Sequence, residues 1–459
     1  LQREEKNLGN VIEQPRYTCA IGAQHTVLAI RGVVPVLHCG PGCSNKVSLA
    51  LTTSAGYQGE SDFGGTHIPC TNSSEKDIVF GGEKKLDETI DGALKVLKGK
   101  LFVVLTGCTA DIVGDDVISI ASKYQREGKS VINAETAGFK GSNYVGHELV
   151  IKSIIEQYIG DVKPKVRKSL VNVFSVVPNQ DPFWRGDLKE IKRILTAIGL
   201  EVNILFGYES KGVEEWKDIP NAEFNLVLNP WVGLKAAKLL ERKFGTKFLH
   251  YQELPVGAVA TSKFLRTVGE FANLDKDKVE QVIKEEEFSF YKYFLDIGDF
   301  IAEGRAGLPF ELYTIADSAY AIGASNFLIN ELGYVPKGAF LIDNVPEKYK
   351  DNVTNIFEGI HEEYKGKVFF ETDGGAIEKI IRNDVNIPRK TLILGSTWED
   401  KLSEDLNAPV VYISNPILDK LIVNKTYIGY AGGLNLIEEI YSSILSNKNF
   451  NQRVNAISI

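Results

Sequence analysis

The sequence predicts an α/β protein of three Rossmann-like domains, each a parallel sheet flanked by helices. Three observations carry that expectation. Short, continuous apolar runs of strand length alternate with amphipathic stretches, the pattern of parallel strands buried on both faces. The alternation recurs in three sets, one for each covered sheet. The length of 459 residues also suits three domains of roughly 150 residues each.

In the first set, Val33–Leu37 and the fully apolar Leu101–Leu105 read as strands. A helical pattern from Asp115 to Glu127 follows, closed by Gly128, and Ser130–Asn133 is the next strand. The second set runs Val171–Val177, a helix near 187–199, strand Val202–Phe206, strand Asn225–Leu228, a helix near 233–244 and a strand around Lys247–Leu249. The third set opens with Glu311–Ile315, a helix near 318–332 and Ala339–Ile342. It continues with a helix near 347–362, Val368–Phe370, a helix near 375–383, and strands Leu392–Leu394 and Val410–Ile413. Boundaries are expected near 165, in Asp161-Val162-Lys163-Pro164-Lys165, and near 300, after the acidic helical stretch from Asp275. The domains are therefore 1–165, 166–300 and 301–459.

Composition narrows the function classes. Hydrophobic residues make up 44% and charged residues 24%, which suits a folded globular chain and excludes long disorder or a coiled-coil rod. With 52 Lys+Arg against 60 Asp+Glu, the net charge of −8 leaves no electrostatic footprint for nucleic acid. The charged start, Leu1-Gln2-Arg3-Glu4-Glu5-Lys6, does not resemble a signal peptide. No apolar run approaches the roughly 18 residues that span a bilayer. A cytoplasmic location with no membrane partner is expected, and there cysteines serve as metal ligands, catalytic thiols or buried fillers rather than disulfides. Methionine is absent. Leu1 stands where an initiator would, and leucine is the nearest isosteric hydrophobe, so the absence is read as a property of how the sequence was made.

Neither a G-x-x-x-x-G-K-[ST] loop nor a strict G-x-G-x-x-G fingerprint occurs, so the chain is not expected to hydrolyse ATP itself. All five cysteines, Cys19, Cys39, Cys43, Cys70 and Cys108, lie in the first quarter. Cys43 is placed in a loop, His38-Cys39-Gly40-Pro41-Gly42-Cys43-Ser44, whose glycines let a bulky inorganic centre approach. Cys108 follows a strand at its carboxyl end, where open α/β sheets present ligands. Cys19 follows an irregular N-terminal arm. The spacing matches neither a zinc ribbon nor a small ferredoxin. Thiolates from separate loops could hold an Fe–S cluster, shared with a second chain. The bland alternative is inert buried cysteine. A Cys–His hydrolase with His38, His67 or His147 as base lacks any local signature. Structural roles are the simpler reading of His38 and His67, and His361 reads as a solvated helix end. Asp115 and Asp116 are expected to cap the following helix. No residue stands out as an acid–base catalyst.

At these cysteines a family resemblance emerges. Arg16-Tyr17-Thr18-Cys19, and Ile30-Arg31-Gly32 through His38-Cys39-Gly40-Pro41-Gly42-Cys43, resemble the N-terminal cluster-binding region of nitrogenase component 1 subunits. Glu75-Lys76-Asp77-Ile78-Val79-Phe80-Gly81-Gly82-Glu83-Lys84-Lys85-Leu86 is similar to that family's most recognisable internal motif, and Thr106–Asp116 to its third-cysteine segment. Pro255-Val256-Gly257 and Tyr427–Gly433 extend the likeness towards the end.

The resemblance implies three Rossmann-like domains and a P-cluster-type or [4Fe-4S] Fe–S centre at the interface with a related α-type subunit. By motif its ligands fall on Cys19, Cys43 and Cys108, with Cys39 and Cys70 as further candidates. In the family the centre relays electrons from an ATP-dependent iron protein to a cofactor in the α-type subunit, which holds it through a middle-domain Cys and a C-terminal His. No Cys follows Cys108 and no His follows His361, so the chain reads as the β-type, non-cofactor-bearing subunit. It would serve nitrogen fixation or a related reduction. The alternatives are an assembly scaffold for a nitrogenase cofactor and a nitrogenase-like reductase of another substrate. Cys39 departs from the family motif, and the segments around Glu83 and Gly138-Phe139-Lys140-Gly141 are closer to α-type or scaffold chains. The serine that can ligate an oxidised P-cluster in β-type chains has no firm counterpart: Ser142 is a candidate, and a plain loop serine is the simpler reading of it.

Overall fold

In a computed structural model, residues 14–46, 68–298, 308–385 and 391–446 are described. Among them, three parallel sheets form, each flanked by helices, as the apolar runs require. The first sheet has the order β1-β2-β3, from Val33–His38, Leu101–Thr106 and Val131–Ala134. Every residue of these strands is buried, which explains why they read as continuous apolar runs rather than alternating ones. Val33 pairs with Leu101 and His38 with Thr106, so the two strands end together. Val34, Val36, Phe102 and Val104 pack on Leu86 and Ile90 of the helix Glu83–Val96, and on Val117, Ala121 and Tyr124 of the helix Val117–Arg126.

The second sheet has the order β5-β4-β6-β7, from β4 Arg167–Phe174, β5 Glu201–Asn203, β6 Ala222–Val227 and β7 Phe248–His250. A polar ladder crosses it. Asn172 pairs in register with Asn203 and Asn225, and the three buried amides hydrogen-bond across the strands at 2.8 and 3.0 Å.

The third sheet has the order β10-β9-β8-β11-β12, from β8 Glu311–Ala316, β9 Val335–Leu341, β10 Val368–Phe369, β11 Thr391–Gly395 and β12 Val410–Tyr412. Its core joins Tyr313, Ile315, Phe340 and Ile393 to Ile377, Ile381 and Leu402.

The expected elements are present, with shifted ends. β4 starts four residues before Val171, and β5 stops at Asn203 rather than Phe206, where Leu205 takes a positive φ of 68° and leaves the extended region. The helices Gly257–Phe271, Lys276–Asp296 and Gly429–Ser446 complete the described fold. The chain packs as two compact units. One is Thr18–Leu295 with Ile417–Asn435; the other is Asp296–Pro416 with the described residues before Thr18 and after Asn435. No described helix is long and apolar enough to cross a membrane.

Candidate metal centre

Three thiols come from three elements at the carboxyl edge of the first sheet. Cys19 caps the short 3-10 helix Ala20–Ala23 in an extended conformation. Its backbone is fixed against the segment 141–143: Ala20 donates to the Gly141 carbonyl at 2.9 Å and Asn143 to the Thr18 carbonyl at 2.9 Å. Cys108 is the first residue of the helix Cys108–Val113, two residues beyond the end of β2. Cys43 lies in a helical turn, residues 41–46, not in the expected loop. Pro41 opens that turn: its fixed φ suits the first helical position, and its missing N–H costs no hydrogen bond there.

Gly138 is where two of the thiols meet. A β-carbon at this position would lie 3.1 Å from the Cys108 sulfur and 3.3 Å from the Cys19 sulfur. Its backbone N–H also donates to the Cys108 sulfur at 3.1 Å, a contact that stabilises negative charge on sulfur. Cys43 neighbours the same two cysteines. Burial, followed by the neighbouring Cys19, Cys108 and Cys70, pushes its thiol pKa up.

Converging thiolates repel one another, and bound cationic iron removes that penalty. Among the described residues, no set of three or more His, Cys, Asp or Glu side chains is gathered around one point for a single ion. A cluster has a different requirement, since each thiolate binds its own iron. The donor chemistry, the missing side chain at Gly138 and the N–H directed at sulfur fit such a group.

Cys39 and Cys70 stand beside this trio. Their sulfurs are 3.8 Å apart, with Cys39 buried and Cys70 partly exposed. Their shared hydrogen bond, with burial second, drives the Cys39 thiol pKa up. The same bond draws Cys70 down to about 6, helped by the Asn72 N–H.

Asp116 caps the helix Val117–Arg126, accepting from the Ser119 N–H at 2.9 Å. Asp115 does not cap it. Its carboxylate instead accepts from the Gly82 N–H at 2.8 Å and meets His38 Nε2 at 2.9 Å. Adjacent residues point in different directions here, so only one of the two acids can reach the helix N-terminus. His38 is buried, pairs through Nδ1 with Thr71 Oγ1 at 3.2 Å, and has its pKa lowered by burial against the opposing pull of Asp115. It is a satisfied structural histidine. His147 is buried on the helix Asn143–Ser153, with Nδ1 2.9 Å from Thr26 Oγ1. His361 ends the helix Glu347–Ile360 and accepts from the Glu363 N–H at 3.2 Å. His67 lies outside the described residues. Ser142 precedes the helix Asn143–Ser153, forms a backbone bridge with Cys19, and has a buried hydroxyl with no hydrogen-bond partner among the described residues.

Apolar side chains are exposed on the elements that carry the site. They are Val79 and Phe80 on the helix Glu75–Phe80, Ile112 on the Cys108 helix, and Phe139 beside Gly138.

Comparison with known proteins adds family evidence. Residues 18–445 match the family described as nitrogenase component 1 type oxidoreductase. The nitrogenase iron-iron protein beta chain of Rhodobacter capsulatus is 25% identical over 94% of each chain. The nitrogenase molybdenum-iron protein beta chain of Clostridium pasteurianum is 25% identical over 94% of this chain and 93% of that one. Among solved structures, a chain of nitrogenase Cp1 at pH 6.5 superposes with a TM-score of 0.78 at 22% identity, covering 97% of this chain and 95% of that chain. This last likeness speaks to the fold.

Proposed function

The chain belongs to the nitrogenase component 1 type oxidoreductase family, and we propose that within it the chain is a β-type subunit holding an Fe–S centre. Its ligands are Cys19, Cys43 and Cys108, and the centre, of P-cluster type or [4Fe-4S], is shared with an α-type partner. The carrying observation is that the Cys19 and Cys108 sulfurs both lie against Gly138, with Cys43 in their field. When bound, the cluster supplies one-electron relay from an ATP-dependent iron protein to a cofactor in the partner.

The chain's own residues hold and tune the centre. The Gly138 N–H is directed at the Cys108 sulfur, and hydrogen bonds to cluster sulfurs together with solvent exposure set the potential. The buried Ser142 hydroxyl leaves an oxygen available beside Cys19. The exposed Val79, Phe80, Ile112 and Phe139 suit a partner subunit that buries them. The proposed domains are 1–165, 166–300 and 301–459, and the location is cytoplasmic.

Anaerobic purification with the α-type partner, followed by iron and sulfide analysis and EPR, tests the reading. Iron and acid-labile sulfide are expected, and both should fall in Cys43→Ala and Cys108→Ala. A complex without iron, or intact cluster content in both variants, would overturn it. Reduction of dinitrogen or acetylene with iron protein and ATP separates a catalytic subunit from an assembly scaffold or a reductase of another substrate.

A further inference from the structure

Two cysteines remain that the cluster does not need. Cys39 follows β1 and Cys70 lies on the segment beside it, held by a short backbone ladder. Leu37 donates to the Pro69 carbonyl at 2.8 Å, Thr71 to the Leu37 carbonyl at 2.9 Å, and Ser73 to the Cys39 carbonyl at 3.0 Å. Thr71 Oγ1 adds a cross-tie, accepting from the Cys39 N–H at 3.1 Å and lying 3.1 Å from its carbonyl oxygen. The ladder pairs Leu37 with Cys70 in parallel, which sets Cys39 diagonally across from Cys70, two positions beyond its direct partner. The sulfurs already face each other at 3.8 Å. Cys39 is buried and Cys70 is partly exposed.

We propose that Cys39 and Cys70 form a redox-active dithiol that closes to an intrachain disulfide by exchange with a low-molecular-weight disulfide. The sulfur of Cys70, the partly exposed residue of the pair, attacks the small disulfide, forming a mixed disulfide and releasing one thiol. Cys39 then attacks the Cys70 sulfur, forms the intrachain bond and releases the second thiol. The protein dithiol loses two electrons and two protons, and both appear in the two small thiols. In a reducing compartment such pairs are transient and act as sensors rather than as fold staples.

The position gives the pair something to report on. A β-carbon at Gly107 would lie 2.5 Å from the Cys39 β-carbon, so Cys39 is packed directly against the residue preceding Cys108. Closing the bond draws the two sulfurs from 3.8 Å to about 2.05 Å. That movement occurs against the turn that presents Cys108. The proposal does not depend on a cluster being present, because the two cysteines lie outside the proposed ligand set.

The test uses the anaerobically purified complex, equilibrated in glutathione buffers from fully reduced to fully oxidised. After quenching and alkylation, peptides are mapped without reductant. A Cys39–Cys70 cross-link is expected, lighter by two hydrogens than the free peptides, with fragmentation assigning the bond to Cys39 rather than Cys43. Cys70→Ser and Cys39→Ser should each abolish the link and leave iron per chain unchanged. No cross-link at any poise, or a link to Cys43, overturns the proposal. So does a loss of iron in Cys70→Ser, because the pair would then be cluster ligands. A complex that contains no iron but forms the Cys39–Cys70 link would refute the cluster reading alone.

Discussion

The backbone N–H of Gly138 donates to the sulfur of Cys108 at 3.1 Å. The same glycine leaves room for the Cys19 sulfur, which a β-carbon would meet at 3.3 Å. Gly138→Ala therefore crowds both thiols. It keeps the N–H and has no left-handed backbone to strain, since Gly138 is not among the positive-φ positions. The expected outcome is an unchanged thermal midpoint with less iron and sulfide per complex and an altered EPR signal. Unchanged iron content and spectrum would show that the two thiols do not act together at this glycine.

Arg16 lies on the N-terminal arm but belongs to the unit of the third sheet. Its guanidinium is buried and grips the Glu399 carboxylate with both terminal nitrogens, while also donating to Ser396 Oγ at 3.1 Å. Trp398 Nε1 donates to the Pro15 carbonyl at 3.2 Å and holds the same arm. Removing one partner of a buried pair leaves an uncompensated charge and costs about 3–5 kcal/mol, whereas replacing both by apolar groups is often near neutral. Arg16→Met should lower the exchange protection of β8 amides by that order, and adding Glu399→Leu should restore most of it. Equal protection in the single variant would mean that the pair contributes nothing net.

The sheets were legible because their strands are buried on both faces. Leu101–Leu105 and Leu392–Leu394 could be little else once helical stretches separated them. Cys108 at a strand's carboxyl edge followed from the same pattern. What was hidden depends on long-range partners. Nothing near Arg16 in sequence points to Glu399, which is 383 positions away. Two successive acids gave no sign that Asp115 would turn to His38 while Asp116 capped the helix. Gly138 carried a family signal but no hint that its missing side chain would seat two sulfurs. The glycines around Cys43 read as a loop, whereas Pro41 starts a helical turn there.

The asparagine ladder of the second sheet was equally hidden, since a single Asn within an apolar strand gives no clue to its neighbours. Asn172 donates to the Asn225 side chain and the Ile219 carbonyl, and accepts from Asn203. Replacing it with Leu leaves partner groups on Asn203, Asn225 and Ile219 short of a hydrogen bond. At about 1–3 kcal/mol for each buried polar group left unsatisfied, a loss of about 3 kcal/mol is expected. A drop of about 3 °C in the thermal midpoint should follow, at about 1 °C per kcal/mol for a chain of this length with about 2.1 cal/mol/K of unfolding entropy per residue. A midpoint within about 1 °C of the parent would mean that the ladder adds no net stability.

His147 gives the fold an acid sensitivity of its own. The ring is buried against Phe206, with centroids 5.8 Å apart, and burial lowers its pKa from 6.5 to about 3. In the unfolded chain the group titrates near 6.5. Between the two values the unfolded state binds the extra proton, so stability is full above about 6.5 and declines as the pH falls towards 3. At about 1.4 kcal/mol per pH unit, this one group costs about 2 kcal/mol at pH 5. His147→Phe keeps an aromatic ring but cannot take up a proton. It gives up the Thr26 contact, worth about 1 kcal/mol, so the variant should be weaker at pH 7. Exchange protection of the helix Asn143–Ser153, compared at pH 7 and pH 5 after correction for intrinsic rates, measures the difference. The wild type should lose about 2 kcal/mol more than the variant on acidification. If the two lose protection in parallel, His147 either is already protonated in the native state or never becomes exposed on the unfolding that exchange reports.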